Sequence, residues 1–204
     1  MWNNAPRHAR WWEWLLLIVL LTILAIGILW ADEAGAQPIA TQEVLRDILA
    51  DRDSPLASVA DTPAAFWRSH RDFDLGGWLA VVWAETSLAR DSFAARTHNI
   101  GCIRGGSVGR PWRDWRTGTT AGGFNIYADL YMGQRAHIWL IYAPARHSST
   151  SGGRVSYNQL LSRHQWSEFA RIYWGGDYPA SYVATLRTAH DKIVADAAER
   201  GLRW

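Results

Sequence analysis

Residues 76–106 read GGWLAVVWAETSLARDSFAARTHNIGCIRGG, and the rest of the chain is organised around them. Gly76-Gly77 opens into an apolar run, Trp78-Leu79-Ala80-Val81-Val82-Trp83-Ala84, which delivers a single carboxylate, Glu85. Residues 78, 82, 85 and 89 recur at helical spacing, so a helix puts Glu85 on one face with Trp78, Val82 and Ala89. A lone acid on an apolar helix is costly to bury ionised, and desolvation raises its pKa. A carboxyl group that stays protonated near neutral pH is what general-acid chemistry needs. The alternative from periodicity is a solvated Glu85 just past the last buried turn. Asp74 precedes the helix as its expected cap.

Outward toward the N-terminus, residues 41–50 (TQEVLRDILA) read as a short amphipathic helix with Val44, Leu45, Ile48 and Leu49 on one face and Thr41 as cap. Ser54-Pro55 and Thr62-Pro63 break the pattern, and a second helix is expected near Pro63, capped by Asp61 or Thr62. Before these, residues 15–30 (LLLIVLLTILAIGILW) are uncharged and apolar. With Ala31 and the Trp11-Trp12 pair, the span 11–31 reaches about the 20 residues that cross a bilayer. Trp11, Trp12, Trp14 and Trp30 stand at its ends, as interfacial anchors do. Arg7 and Arg10 precede it and Asp32 and Glu33 follow, which puts the N-terminus in the cytoplasm and the remainder outside. Ala34-Gly35-Ala36 offers the rival reading, a signal peptide cleaved before Gln37. Either way the domain is exported. The expected organisation is a signal-anchor or signal peptide at 1–36, a short helix and linker at 37–61, and one globular domain at 62–204.

Toward the C-terminus, residues 104–123 are rich in Gly, Arg, Thr and Trp without helical period, and read as loops with one or two short strands. Trp112-Arg113-Asp114-Trp115-Arg116 offers two indoles to stack on sugar rings and polar groups to bond hydroxyls; the alternative packs both Trp under the loop. Gly123–Tyr127 reads as a strand and 133–142 as a helix with Ala136, Trp139 and Leu140 inward and His137 solvated or at the core edge. Residues 146–156 read as a flexible loop. Helices are expected at about 157–173 and 179–200, with Pro179 opening the last. No His-Glu-x-x-His pattern marks a zinc site and no Gly-x-Ser-x-Gly marks a serine nucleophile.

Composition sets the outer bounds. The chain has 204 residues, 14 of them Trp, and a net charge of only +2, which implies no nucleic-acid footprint. One cysteine, Cys102, excludes an internal disulfide framework and a multi-cysteine metal site. No cofactor is implied.

Ala84-Glu85-Thr86-Ser87 followed by Asn99-Ile100-Gly101-Cys102-Ile103 resembles the bacterial glucosaminidase family within the lysozyme superfamily. Members carry an apolar helix ending in Glu-Thr or Glu-Ser, then an Asn-Asn-hydrophobic-Gly-Ile turn; His98-Asn99 stands here for Asn-Asn. Gly123-Phe124-Asn125-Ile126-Tyr127 looks like the family's strand ending in Tyr. Asp177-Tyr178-Pro179-Ala180-Ser181-Tyr182-Val183 looks like its late Asp-Pro-x-Tyr element with one residue inserted. The resemblance covers roughly residues 62–195.

The resemblance implies a mainly α, lysozyme-like helical domain with a small β-lobe at about 104–127. It implies an exported glycosidase that cuts a β-1,4 bond of peptidoglycan glycan strands, with Glu85 as general acid and Tyr127 stabilising charge. Asn99 would orient the motif turn or touch a substrate acetamido group, and Tyr178 or Tyr182 would lie near the cleft. A second carboxylate is not obvious among Asp91, Asp114, Asp129 and Asp177, and the substrate's own acetamido group is the family's substitute. A lytic transglycosylase needs the same single acid, although the Gly-Leu-Met-Gln turn of that group is absent. A different class stays open as well: a non-catalytic glycan-binding or scaffold subunit of an envelope complex. A buried Glu85 beside an open cleft separates the enzyme from the scaffold.

Overall fold

Leu75, Trp78, Leu79, Ala80, Val81 and Val82 are all fully buried, so the helix that carries Glu85 is wrapped by the molecule rather than laid on it. A helix apolar all round belongs in a core, and each of its larger side chains contributes about 1.5–3 kcal/mol by leaving water. The face-sharing pattern of 78, 82, 85 and 89 therefore does not distinguish an inner side from an outer one. The structure, a computed structural model, describes residues 15–16, 18–22, 41–104, 115–144, 147–150 and 152–203. They fall into two units, Met1–Ile39 and Ala40–Trp204.

The larger unit is mainly helical. It comprises α1 (41–50), a 3₁₀ turn (Pro55–Val59), α2 (Asp61–Ser69), α3 (Leu75–Thr86), α4 (Ser92–Thr97), β1 (Arg116–Thr119), β2 (Asn125–Tyr127), α5 (Leu130–Tyr142), β3 (His147–Ser148), β4 (Arg154–Val155), α6 (Tyr157–Ser162), α7 (Trp166–Tyr173) and α8 (Ala180–Glu199). Helix α3 packs most extensively on α8 and also meets α6, while α5 bridges α2 and α6. Strands β1 and β2 pair antiparallel, as do β3 and β4. An isolated bridge between Arg104 and Phe124 extends the first hairpin toward the motif turn.

Local chemistry explains the boundaries. Asp74 caps α3, its Oδ1 accepting from Gly77 N at 2.8 Å. A Cβ on Gly77 would lie 2.4 Å from Asp74 Oδ2 and 2.9 Å from Leu161 Cβ, so glycine lets the cap fold back and α6 approach. Helix α5 begins three residues before its expected start because Asp129 accepts from Met132 N at 2.8 Å. The long helix expected at 157–173 is instead two: Ser156 and Gln159 form a capping box at the start of α6, and His164 turns left-handed (φ 53°) before α7. The loop expected at 146–156 contains the β3–β4 hairpin. Helix α2 starts at Asp61, two residues ahead of Pro63, with Ala60 as an uncapped N-terminus.

The domain boundary also moves. Leu45, Ile48 and Leu49 of α1 and Leu56 of the 3₁₀ turn are no more than 1% exposed, and all but Ile48 belong to the main core cluster. Residues 41–61 thus lie in the same unit as residues 62–203. Arg52 pairs with Asp196, and Arg200 with Asp51 and Asp47, fastening α1 to the end of α8.

In the first unit, residues 15–16 and 18–22 are helical and exposed. Most of the apolar span 11–31, and the Ala34-Gly35-Ala36 site, lie outside the described residues. Among the described residues no helix is long and apolar enough to cross a membrane.

Candidate active site

The end of α3 is stitched to the motif turn, and that places Glu85. The Thr86 hydroxyl lies 3.1 Å from Val82 O and 3.0 Å from Ile100 O, so one side chain closes its own helix and touches the turn. It also accepts from Ala89 N at 3.2 Å. After Thr86 the backbone runs left-handed through Ser87, Leu88 and Ala89 (φ 51°, 60° and 64°), held by burial of Leu88 and Ala89 and by Ser54 Oγ donating to Leu88 O at 2.7 Å. This reverses the chain into α4 and brings the 99–103 turn back beside Glu85.

Asn99 builds that turn. It is fully buried; Nδ2 donates to Ile103 O (2.9 Å) and Asn125 O (3.0 Å), and Oδ1 accepts from Ile103 N (2.8 Å). Its amide is committed to holding the turn and β2 together. His98 occupies the left-handed C-cap of α4 (φ 54°), a position His tolerates as Asn does. Its Nδ1 lies 3.0 Å from Tyr127 O.

Gly101 meets the ring of His137, where an added Cβ would lie 2.3 Å from Cδ2. The Tyr173 hydroxyl donates to Gly101 O at 2.5 Å, and His137 Nε2 is 3.3 Å from the same hydroxyl. His137 is therefore a core residue and not a solvated one: it is fully buried, and burial pulls its pKa down to about 3. With Tyr173 donating to Gly101, His137 Nε2–H donates to Tyr173, and the neutral ring props the turn from behind.

Glu85 emerges into a cleft of about 370 Å³ lined by Gly101, Cys102, Ile103, Arg104, Phe124, Leu140, Tyr157, Tyr173 and Trp174. Burial raises its pKa above the ordinary value of 4.5, while hydrogen bonds from Tyr182, Cys102 and Trp174 act in the opposite sense. Tyr182 Oη donates to Glu85 Oε1 at 2.5 Å. Burial and the adjacent carboxyl push Tyr182 far above its ordinary pKa, so it stays a neutral donor. Trp174, 45% exposed, packs edge-on against Tyr182 with ring centroids 5.3 Å apart. Burial and the neighbouring Glu85 likewise raise the Cys102 thiol, which keeps it uncharged. A carboxyl group whose pKa burial raises, uncharged donors and aromatic walls describe a site suited to passing a proton to a bound oxygen.

The other expected site residues divide. Tyr182 of the late element touches Glu85, whereas Tyr178 is half-buried against the main core and does not line the cleft. Tyr127 is 1% exposed; its hydroxyl accepts from Asn125 Nδ2 at 3.2 Å, and it packs with Ile103 and Ala136. The charge-stabilising role expected at Tyr127 therefore has no route to the cleft: β2 turns this ring into the core, and Tyr182 is the tyrosine at the acid. Trp115 packs against the same small cluster, with the Arg135 guanidinium 4.6 Å from its ring centroid, which is the packed alternative rather than the sugar-stacking one. Trp112 and Asp114 lie outside the described residues. Asp91 and Asp129 cap α4 and α5, and Asp177 is exposed; none lines the cleft.

Tyr157, Tyr173, Trp174 and Arg104 form walls that sequence reasoning did not assign. The available signal was Tyr173-Trp174 directly before Gly175-Gly176, two adjacent aromatics at a turn. Among the described residues no group of three or more His, Cys, Asp or Glu side chains is placed to hold a metal. The chain matches no family model, no curated protein and no solved structure.

Proposed function

We propose that the chain is an exported glycoside hydrolase with a lysozyme-like domain, acting on a β-1,4 bond of peptidoglycan glycan strands in the N-acetylglucosaminidase manner. The observation that carries this reading is Glu85: a carboxyl group with a raised pKa, bonded to Tyr182, opening into a cleft walled by Tyr157, Tyr173 and Trp174. Glu85 donates its proton to the leaving glycosidic oxygen. Tyr182 then stabilises the carboxylate left behind, through a hydrogen bond that strengthens as charge develops. The aromatic walls hold sugar rings by their apolar faces and exclude water. The cell envelope is the setting, reached through residues 1–36 as a signal-anchor or a cleaved signal peptide.

A second reading is favoured by one specific feature. Among the described cleft-lining residues Glu85 is the sole carboxylate. Glycosidases that use two enzyme carboxylates separate them by distances that set inversion or retention. A single acid fits substrate-assisted hydrolysis, and it fits a lytic transglycosylase equally. Mass spectrometry of products from purified peptidoglycan separates the possibilities. New reducing-end N-acetylglucosamine supports the proposal, reducing-end muramic acid moves the cut to the other bond, and anhydro ends mean transglycosylation. Absence of any released glycan leaves the binding or scaffold reading.

A further inference from the structure

Among the described residues seven buried side-chain nitrogen and oxygen atoms have no hydrogen-bond partner in the protein, and four of them belong to three core residues, Trp78, Gln134 and His137. All three side chains are fully buried. The rings of Trp78 on α3 and His137 on α5 lie with centroids 6.2 Å apart and planes at 44°. Gln134 stands three positions before His137 on α5, so the two share a face of that helix. A buried polar atom left unbonded is costly, and a cluster of them marks a place where something other than the protein supplies the bonds.

The four atoms divide evenly by chemistry. Trp78 Nε1 and Gln134 Nε2 carry protons and need acceptors. Gln134 Oε1 and His137 Nδ1 need donors, the latter because the His137 proton sits on Nε2, 3.3 Å from the Tyr173 hydroxyl, which itself donates to Gly101 O. An anion would satisfy only the first pair and a cation only the second. Water satisfies both, and no charge stands among the three side chains, since burial pulls His137 down to about 3. We infer that Trp78, Gln134 and His137 bind ordered water inside the core, which holds His137 in one tautomer and, through Tyr173, fixes the Gly101 carbonyl at the cleft turn. Trp78 donates to the water, the water donates to Nδ1, Nε2–H donates to Tyr173, and Tyr173 donates to Gly101, which lines the cleft beside Glu85 and Cys102. Trp78 and Gln134 thereby act on the cleft as positioning residues. The inference holds whatever the cleft binds and does not rest on the glycan-cleaving reading.

The test is nuclear magnetic resonance on the whole chain at neutral pH, with no ligand added. The nitrogen shifts of His137 report which ring nitrogen carries the proton, and the indole N–H signal missing from Trp78→Phe assigns Trp78. The wild type is expected to show His137 protonated on Nε2 alone and a cross-peak from Trp78 Nε1–H to long-lived water. Gln134→Met, which keeps the length of the side chain and removes its polar atoms, is expected to lose that cross-peak and to shift both His137 Nδ1 and the Gly101 amide. A His137 proton on Nδ1 overturns the inference. So does a Trp78 N–H whose cross-peaks reach only protein atoms, because a direct bond then replaces the water. A folded Gln134→Met with an unchanged water cross-peak and an unmoved Gly101 amide overturns it too. Should Gln134→Met fail to fold, the two wild-type signals still decide.

Discussion

Tyr182 acts on Glu85 against the pull of burial, and the competition sets where the carboxyl group titrates. The Tyr182 hydroxyl favours the charged carboxylate, so removing it in Tyr182→Phe raises the Glu85 pKa further. A general acid is active while protonated, below its pKa. The alkaline limb of the pH–rate profile is therefore expected to move to higher pH, with a lower maximal rate. An unmoved limb would mean that the bond does not govern the proton. Stability follows the same group. Its folded pKa lies above the unfolded value, so folding is favoured most at low pH and loses stability as pH rises from about the ordinary 4.5 through the raised value. Glu85→Gln removes that loss, and its melting temperature is expected to exceed wild type at pH 7 to 8 and to converge with it near pH 4. At this scale the sequence located Glu85 at the end of an apolar helix and Asn99 in the turn that follows, because both sit in one local stretch. It did not show that Tyr127 points inward while Tyr182 reaches Glu85 across 97 positions, since side-chain direction there depends on how β2 and α8 pack.

Helix ends, more than helix interiors, shape the site. Ser87 is exposed and left-handed (φ 51°, ψ 44°) at the C-cap of α3, where an L-residue costs roughly 1–2 kcal/mol relative to glycine's freedom. Ser87→Gly is expected to stabilise the fold by about 1 kcal/mol in thermal or urea unfolding, and destabilisation would show that the left-handed run is not strained. Gly101→Ala is expected to act oppositely, because its Cβ would enter the His137 ring; loss of several degrees in Tm together with activity is the outcome to look for. The elements themselves were largely legible: α1, α3, α5, α8 and the β1–β2 lobe all follow from apolar spacing and turn residues. Their ends were less so. The break at His164 and the β3–β4 hairpin have no Pro in them, and the two-residue strands carry too little alternation to register as a pattern.

For the molecule as a whole, the structure replaces an expected linker by part of the core. Leu45, Ile48, Leu49 and Leu56 lie buried, and at about 1.5–3 kcal/mol each the four together reach the order of an entire domain's stability. A chain beginning at Ala40 is expected to unfold cooperatively, whereas one beginning at Thr62 is expected to lose cooperative unfolding in circular dichroism; equal melting of the two would place α1 outside the fold. Ser54-Pro55 and Thr62-Pro63 looked like a boundary because prolines end helices whether or not the chain then leaves the domain. The pairs Arg52–Asp196 and Arg200–Asp51, 144 and 149 positions apart, tie the two ends of the unit together in a way that local sequence does not reveal. The central claim is that Glu85 is the proton donor of a glycan-cleaving site. Its most direct test is turnover of purified peptidoglycan by wild type and Glu85→Gln at one pH, with matched melting curves. The account predicts at least a hundredfold loss in a folded Glu85→Gln variant. An inert wild type, or a variant of undiminished activity, would contradict it.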